Sequence, residues 1–145
     1  MLHLRLFVLS LSFLVLCSEG VTFADDADEA RAVAMNILKQ LEQKKTMDVW
    51  SNYVSNWFKR KTTEKAFLAN MTVIHAQLGG TGTDRDLIQQ GKADGDSQSG
   101  YQGTVYSFLF GTTFPMAKVY ETIVLIIEDN TYRLAGINYV PNPNP

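Results

Sequence analysis

The stretch that decides the fold runs Val119-Tyr120-Glu121-Thr122-Ile123-Val124-Leu125-Ile126-Ile127-Glu128, then Asp129-Asn130, then Thr131-Tyr132-Arg133-Leu134-Ala135-Gly136-Ile137-Asn138-Tyr139-Val140. Two strand-forming runs flank a pair of residues that tolerate positive φ, the pattern of a hairpin with a two-residue turn. With Thr131 opposite Glu128, that turn fixes the register: Leu134 faces Leu125, Gly136 faces Ile123, and Asn138 faces Glu121. Ile123, Leu125, Ile127, Tyr132 and Leu134 then share one apolar face, with Glu121 and Asn138 at its far end.

Upstream of the hairpin, Thr104 to Phe114 alternates, with Tyr106, Phe108 and Phe110 on one face and Val105, Ser107 and Leu109 on the other. Asp84 to Ala93 is a weaker strand, and Asp94 to Gly100, rich in Gly, Ser and Asp, reads as a loop. Before these the apolar period is that of helices. Ala30, Val33, Ala34, Ile37, Leu38 and Leu41 make the stripe of a first helix from about Ala27 to Lys45, with Asp25, Asp26 and Asp28 at its positive end. Thr46 or Asp48 caps a second helix carrying Val49, Trp50, Tyr53, Val54 and Trp57, closed by Lys59-Arg60-Lys61. Thr62 or Thr63 caps a third, striped by Phe67, Met71, Ile74 and Leu78 and stopped by Gly79-Gly80. Helices first and hairpin-linked strands afterwards imply an α+β domain, its helices packed on one face of a four-stranded antiparallel meander.

The N-terminus reads differently from all this. Arg5 precedes a twelve-residue apolar run from Leu6 to Cys17, too short for a bilayer span, and Thr22-Phe23-Ala24 offers a small-residue cleavage site. The expectation is a signal peptide over 1–24, one domain over 25–140, a flexible tail over 141–145, and a periplasmic or secreted location. Leu16 is too bulky for Cys17 to resemble a lipoprotein acylation site, so no stable membrane anchor is expected. Cys17 is the sole cysteine, so the fold beyond it rests on its apolar core rather than on disulfides. Thirteen Lys and Arg against fifteen Asp and Glu, with no basic run beyond the short patch Lys59-Arg60-Lys61, argue against nucleic acid as a partner.

A carboxylate at Glu121 on the core side needs a cationic partner, and Arg85 is the natural one, since alternation puts it on the face of Leu87. One reading makes Arg85 and Glu121 a structural pair at the core rim; the other sets them at the mouth of a pocket, with Asn138 beside them and Trp50, Tyr53 and Phe110 as its apolar wall. His75, the only histidine after the signal, is a boundary residue of the third helix or a general base if that helix faces a cavity. No catalytic residue, metal site or cofactor follows from these residues. Zinc lacks a second histidine or a cysteine pair, and Gly79-Gly80-Thr81-Gly82-Thr83 follows a helix and precedes a strand, the wrong order for a phosphate loop.

Trp50 after a polar turn, Phe58 ahead of Thr62-Thr63-Glu64-Lys65, Leu78-Gly79 followed by Arg85, Glu121 to Leu125, and Tyr132 to Gly136 carry a resemblance. From about Ala30 to Tyr139 the chain resembles a family of small exported bacterial proteins, the domain-of-unknown-function family 4019. His75 replaces the basic residue expected ahead of Leu78-Gly79, and Gly91 to Gly103 does not align. The resemblance implies a cystatin-like or nuclear-transport-factor-2-like cone and implies no activity. The functional expectation is a non-catalytic module that binds a small ligand or a periplasmic protein. The alternatives are a small-ligand enzyme of the cone type, with His75 or an acidic residue such as Asp86 as base, and a homodimer paired through the final strand as a sheet edge.

Overall fold

A computed structural model of the chain describes residues 24–143. Residues 1–23 of the expected signal peptide and the last two residues of the expected tail lie outside the described residues. The elements run α1 (Ala24–Glu42), α2 (Thr46–Asn52), α3 (Asn56–Lys59), α4 (Glu64–Leu78), β1 (Thr83–Asp96), β2 (Tyr101–Thr113), β3 (Lys118–Glu128) and β4 (Thr131–Pro141). The strands form one antiparallel meander in the order β1-β2-β3-β4, so the α+β arrangement of helices followed by a four-stranded sheet is the one the sequence implies.

The β3–β4 turn is made as its residues dictate. Asp129 and Asn130 both take positive φ (52° and 56°), and Glu128 pairs with Thr131 and Leu125 with Leu134. Beyond Leu134 the expected register fails. Ala135 is an extra residue in a bulge, so Gly136 pairs with Val124 rather than Ile123, and Asn138 with Thr122 rather than Glu121. The cause is tertiary: Leu134 turns its backbone to the segment after α2, donating to Tyr53 O (2.7 Å) and accepting from Ser55 N (2.9 Å). This parallel bridge between Val54 and Leu134 also covers part of the outer edge of β4.

The same segment breaks the expected second helix in two. Ser55 leaves the helical region and its hydroxyl accepts from Phe58 N (3.0 Å), capping α3, while Glu128 accepts from Asn56 N (2.8 Å) and Trp57 N (3.0 Å). Neither Thr46 nor Asp48 caps α2; Lys45 holds that position without a side-chain bond. Thr63 does cap α4, accepting from Ala66 N, and Gly79 ends it at φ 78°.

α1 crosses one sheet face, its Ala30, Ala34, Ile37, Leu38 and Leu41 buried with Tyr106, Phe108, Phe110, Ile123 and Leu125. Tyr132 lies edge-on to Tyr106 (5.4 Å between ring centres), and its hydroxyl donates to Asp26 O (3.1 Å) at the start of α1. Burial and the neighbouring Tyr106 raise the Tyr132 phenol to about 12. On the opposite face, Trp57 of α3 packs edge-on against Tyr101. Val124, Leu125 and Ile126 are consecutively buried, so both faces of β3 are withdrawn from water at its centre. The strand at β1 is longer than expected and takes in part of the expected loop, leaving only Ser97 to Gly100 as the turn.

Candidate functional site

At the end of the sheet away from Tyr132, the apolar face turns polar. Two residues of β1, Asp84 and Arg85, oppose the single Thr112 of β2, and Asp84 takes a left-handed φ of 49°. Arg85 stands at this bulge on the face of Leu87, as alternation expects, and points inward. The guanidinium donates from Nε to Glu121 Oε2 (2.7 Å) and from Nη2 to Glu121 Oε1 (3.2 Å), and Nη2 also donates to Glu42 Oε1 at the end of α1. The Thr112 hydroxyl donates to Glu121 Oε2. Only 10% of the Arg85 side chain, 7% of Glu42 and 1% of Glu121 remain accessible. Burial alone would lower the Arg85 pKa, but the hydrogen bonds and charges of Glu121 and Glu42 outweigh it and raise it.

Tyr139, not Asn138, stands opposite Glu121, because the bulge at Ala135 moves every later residue of β4 by one place. It is buried, and that burial, with the charge of Glu121, pushes its phenol well above the ordinary value. Asn138 faces away, half-buried beside Thr122. The cluster is therefore one cation between two carboxylates, closed over by a phenol and a threonine.

Beside it lies an open cleft of about 730 Å³ between the α1–α2 corner and α4. Glu42, Lys44, Thr46 and Met47 form one wall, and Leu68, Thr72, His75 and Ala76 the other. The corner is a Schellman stop: Lys45 N bonds Gln40 O (3.0 Å), Lys44 N bonds Leu41 O (3.0 Å), and Lys44 takes the left-handed place at φ 61°. His75 Nε2 is withdrawn from solvent without a hydrogen-bond partner among the described residues. Burial lowers the His75 pKa, Glu121 pulls it up less strongly, and Lys44 lowers it further. The imidazole is thus held neutral at neutral pH, and no neighbour orients it as a base.

The expected pocket wall is not assembled. Trp50 (8% accessible) and Phe110 (2%) belong to the core, Trp50 tilted against Phe67 at 5.5 Å with the Lys59 ammonium over its ring. Tyr53 lines a separate polar groove along α1 and α2, where its hydroxyl accepts from Asn36 (2.9 Å) and Gln40 (3.0 Å). Asp86 is exposed on β1, paired with Gly111 and outside the cleft. Of the expected site residues, Arg85 and Glu121 meet in the buried cluster and His75 reaches the cleft beside it.

Besides Thr112 and Tyr139, Glu42 of the cluster and Lys44 of the cleft were missed. Glu42 carried a readable signal: a carboxylate in the last turn of a helix faces the negative end of the dipole, so it asks for a cation from elsewhere. Lys44 carried none, because glycine, not lysine, ordinarily marks a left-handed stop.

No curated protein and no solved structure matches the chain. A family model described as a protein of unknown function, DUF4019, matches residues 33–137, from the middle of α1 to the bulged half of β4. The match spans well over half the sequence and all the residues of the ionic cluster except Tyr139, and the chain belongs to that family.

Proposed function

We propose that the domain is a non-catalytic binding module of an exported chain, with the cleft between the α1–α2 corner and α4 as its ligand site. The observation that carries this reading is the state of its ionisable groups. Arg85 Nε and Nη2 are taken up by Glu121 and Glu42, and His75 is neutral with no partner among the described residues to orient it, so the cleft presents binding surface without an activated base. Its size and mixed lining suit a small molecule. Export rests on the Arg5 start, the apolar run and the Thr22-Phe23-Ala24 site, and a helix laid across a four-stranded antiparallel sheet supports the cystatin-like or nuclear-transport-factor-2-like cone.

Native mass spectrometry of the protein purified from its own host tests the reading. The expected result is a chain beginning at Asp25 that carries a small molecule, lost when Met47 and Leu68 are enlarged to fill the cleft. A bound molecule indifferent to those changes, or turnover of a substrate abolished by His75→Ala with the fold intact, would overturn it.

A further inference from the structure

Charge is unevenly satisfied around the cleft. The Glu42 carboxylate is matched by Arg85, whereas the Lys44 ammonium makes no ion pair among the described residues although it stands near enough to depress His75. Glycine would end α1 here without strain, but lysine takes the left-handed place, at a cost of roughly 1–2 kcal/mol. The conformation sets an ammonium at the cleft rim. Across from it Leu68 is half-buried, and on its own wall Met47 is 48% exposed, a flexible side chain that adapts to irregular apolar shapes. Thr72 spends its hydroxyl proton on Leu68 O (2.9 Å), so the α4 wall offers an anion little.

From this distribution we infer that the cleft takes a small amphipathic carboxylate, its head at Lys44 and its apolar body along Met47, Leu68 and Ala76. The inference rests on the reading of the cleft as a small-ligand site and gives that ligand a chemical class. It carries a proton linkage. A carboxylate at Lys44 offsets the charge that opposes protonation of His75 and adds an anion to those already near it, Glu121 from β3 and Glu42 from α1. Lys44 is the cation that opposes that protonation, Arg85 of β1 being paired with Glu121 and Glu42, and the Tyr139 phenol of β4 stays neutral. Burial and Lys44 hold the His75 pKa below its ordinary value and a bound anion raises it, so binding takes up a proton and affinity grows as pH falls through that range.

Octanoate and 1-octanol, titrated separately into the protein and followed by calorimetry and by the His75 imidazole resonances, test this. Octanoate is expected to bind at least about fivefold more tightly than the alcohol, the worth of one partly desolvated ion pair. Its affinity should rise from about pH 7.5 to about pH 6, where the carboxylate stays ionised. Lys44→Gln should remove the preference, and Lys44→Arg should keep it. Equal binding of the two probes, or an unchanged preference in Lys44→Gln, overturns the carboxylate class while leaving the cleft as a ligand site. Binding of neither overturns the inference, and the molecule carried by the protein from its host then decides the parent reading by itself.

Discussion

Replacing Arg85 by methionine keeps most of the side-chain volume and takes away the cation. Glu121, with 1% of its side chain accessible, would keep only the Thr112 hydroxyl, and Glu42, at 7%, would lose its partner at the unfavourable end of α1. Glu121 cannot regain water without opening the sheet, whereas Glu42 would have to turn out into the cleft it lines. Breaking a buried pair from one side costs about 3–5 kcal/mol, against roughly 5–15 kcal/mol for a whole domain. For a chain of this size that is a melting temperature lower by about 12–20 °C. Trp50 and Trp57 are each 8% accessible, so their fluorescence during urea unfolding reports the loss of packing. The second arm is Arg85→Met combined with Glu121→Met. Two apolar side chains in place of the pair should recover all but about 1–2 kcal/mol, the remainder belonging to Glu42. A cost below about 1 kcal/mol for Arg85→Met, or a double variant no more stable than the single one, would refute the reasoning.

Lys44→Gly should relieve the left-handed strain and, after the added chain entropy, raise stability by about 0.5–1 kcal/mol in the same assay while ending the octanoate preference. Gly82→Ala should lower stability by about 1–3 kcal/mol, because a Cβ there would stand 2.6 Å from Thr112 Cγ2 and 3.0 Å from the Phe114 ring. His75→Leu should gain about 1 kcal/mol at neutral pH by removing a buried nitrogen without a partner. The His75 pKa is lowered in the fold, so its contribution is complete above 6.5 and is lost as pH falls through the folded value. The wild-type protein should therefore lose more stability than His75→Leu between about pH 7 and pH 5, as urea midpoints at each pH would show.

The hairpin was legible because its turn is chemically restricted: few residues accept positive φ in succession, and Asp129-Asn130 sits between two runs that pair only one way. Legibility ended at Leu134, whose outward backbone bonds to Tyr53 and Ser55 belong to a segment some eighty positions earlier in the sequence. Nothing local in Leu134-Ala135-Gly136 announces a bulge, so Asn138 rather than Tyr139 was set against Glu121. β1 was weak for a related reason. It is an edge strand, mostly exposed and irregular at three places, and its course follows β2 more than its own pattern. Arg85 and Glu121 could be paired from the sequence because a carboxylate on a core face needs a cation. The place of Trp50 away from them could not, since that depends on α2 packing its Trp50 against α4 rather than over the sheet.

Two of the bulges acquire meaning together. One stands on β1 and the other on β4, on either side of the pair β2–β3, and each supplies a residue to the surroundings of Glu121: Arg85 from the first, Tyr139 from the second. The end of the sheet bearing Tyr106 and Tyr132 is held to the start of α1 by the Tyr132 hydroxyl bond and a partly exposed Lys92–Asp26 ion pair (3.9 Å), whereas the other end is held to its finish by a buried ionic cluster. A buried ionic cluster is poor at adding net stability, since desolvation offsets most of its attraction, and an apolar set of equal volume would serve the core at least as well. What the cluster does supply is position. Arg85 bridges β3 and Glu42, which fixes the last turn of α1 and therefore the left-handed Lys44 two residues on, while His75 approaches the same Glu121 from α4. The cleft opens beside the charged end, where packing gives way to directional bonds, and Lys44, unmatched by an ion pair among the described residues, is set by the same arginine that links the helix to the sheet.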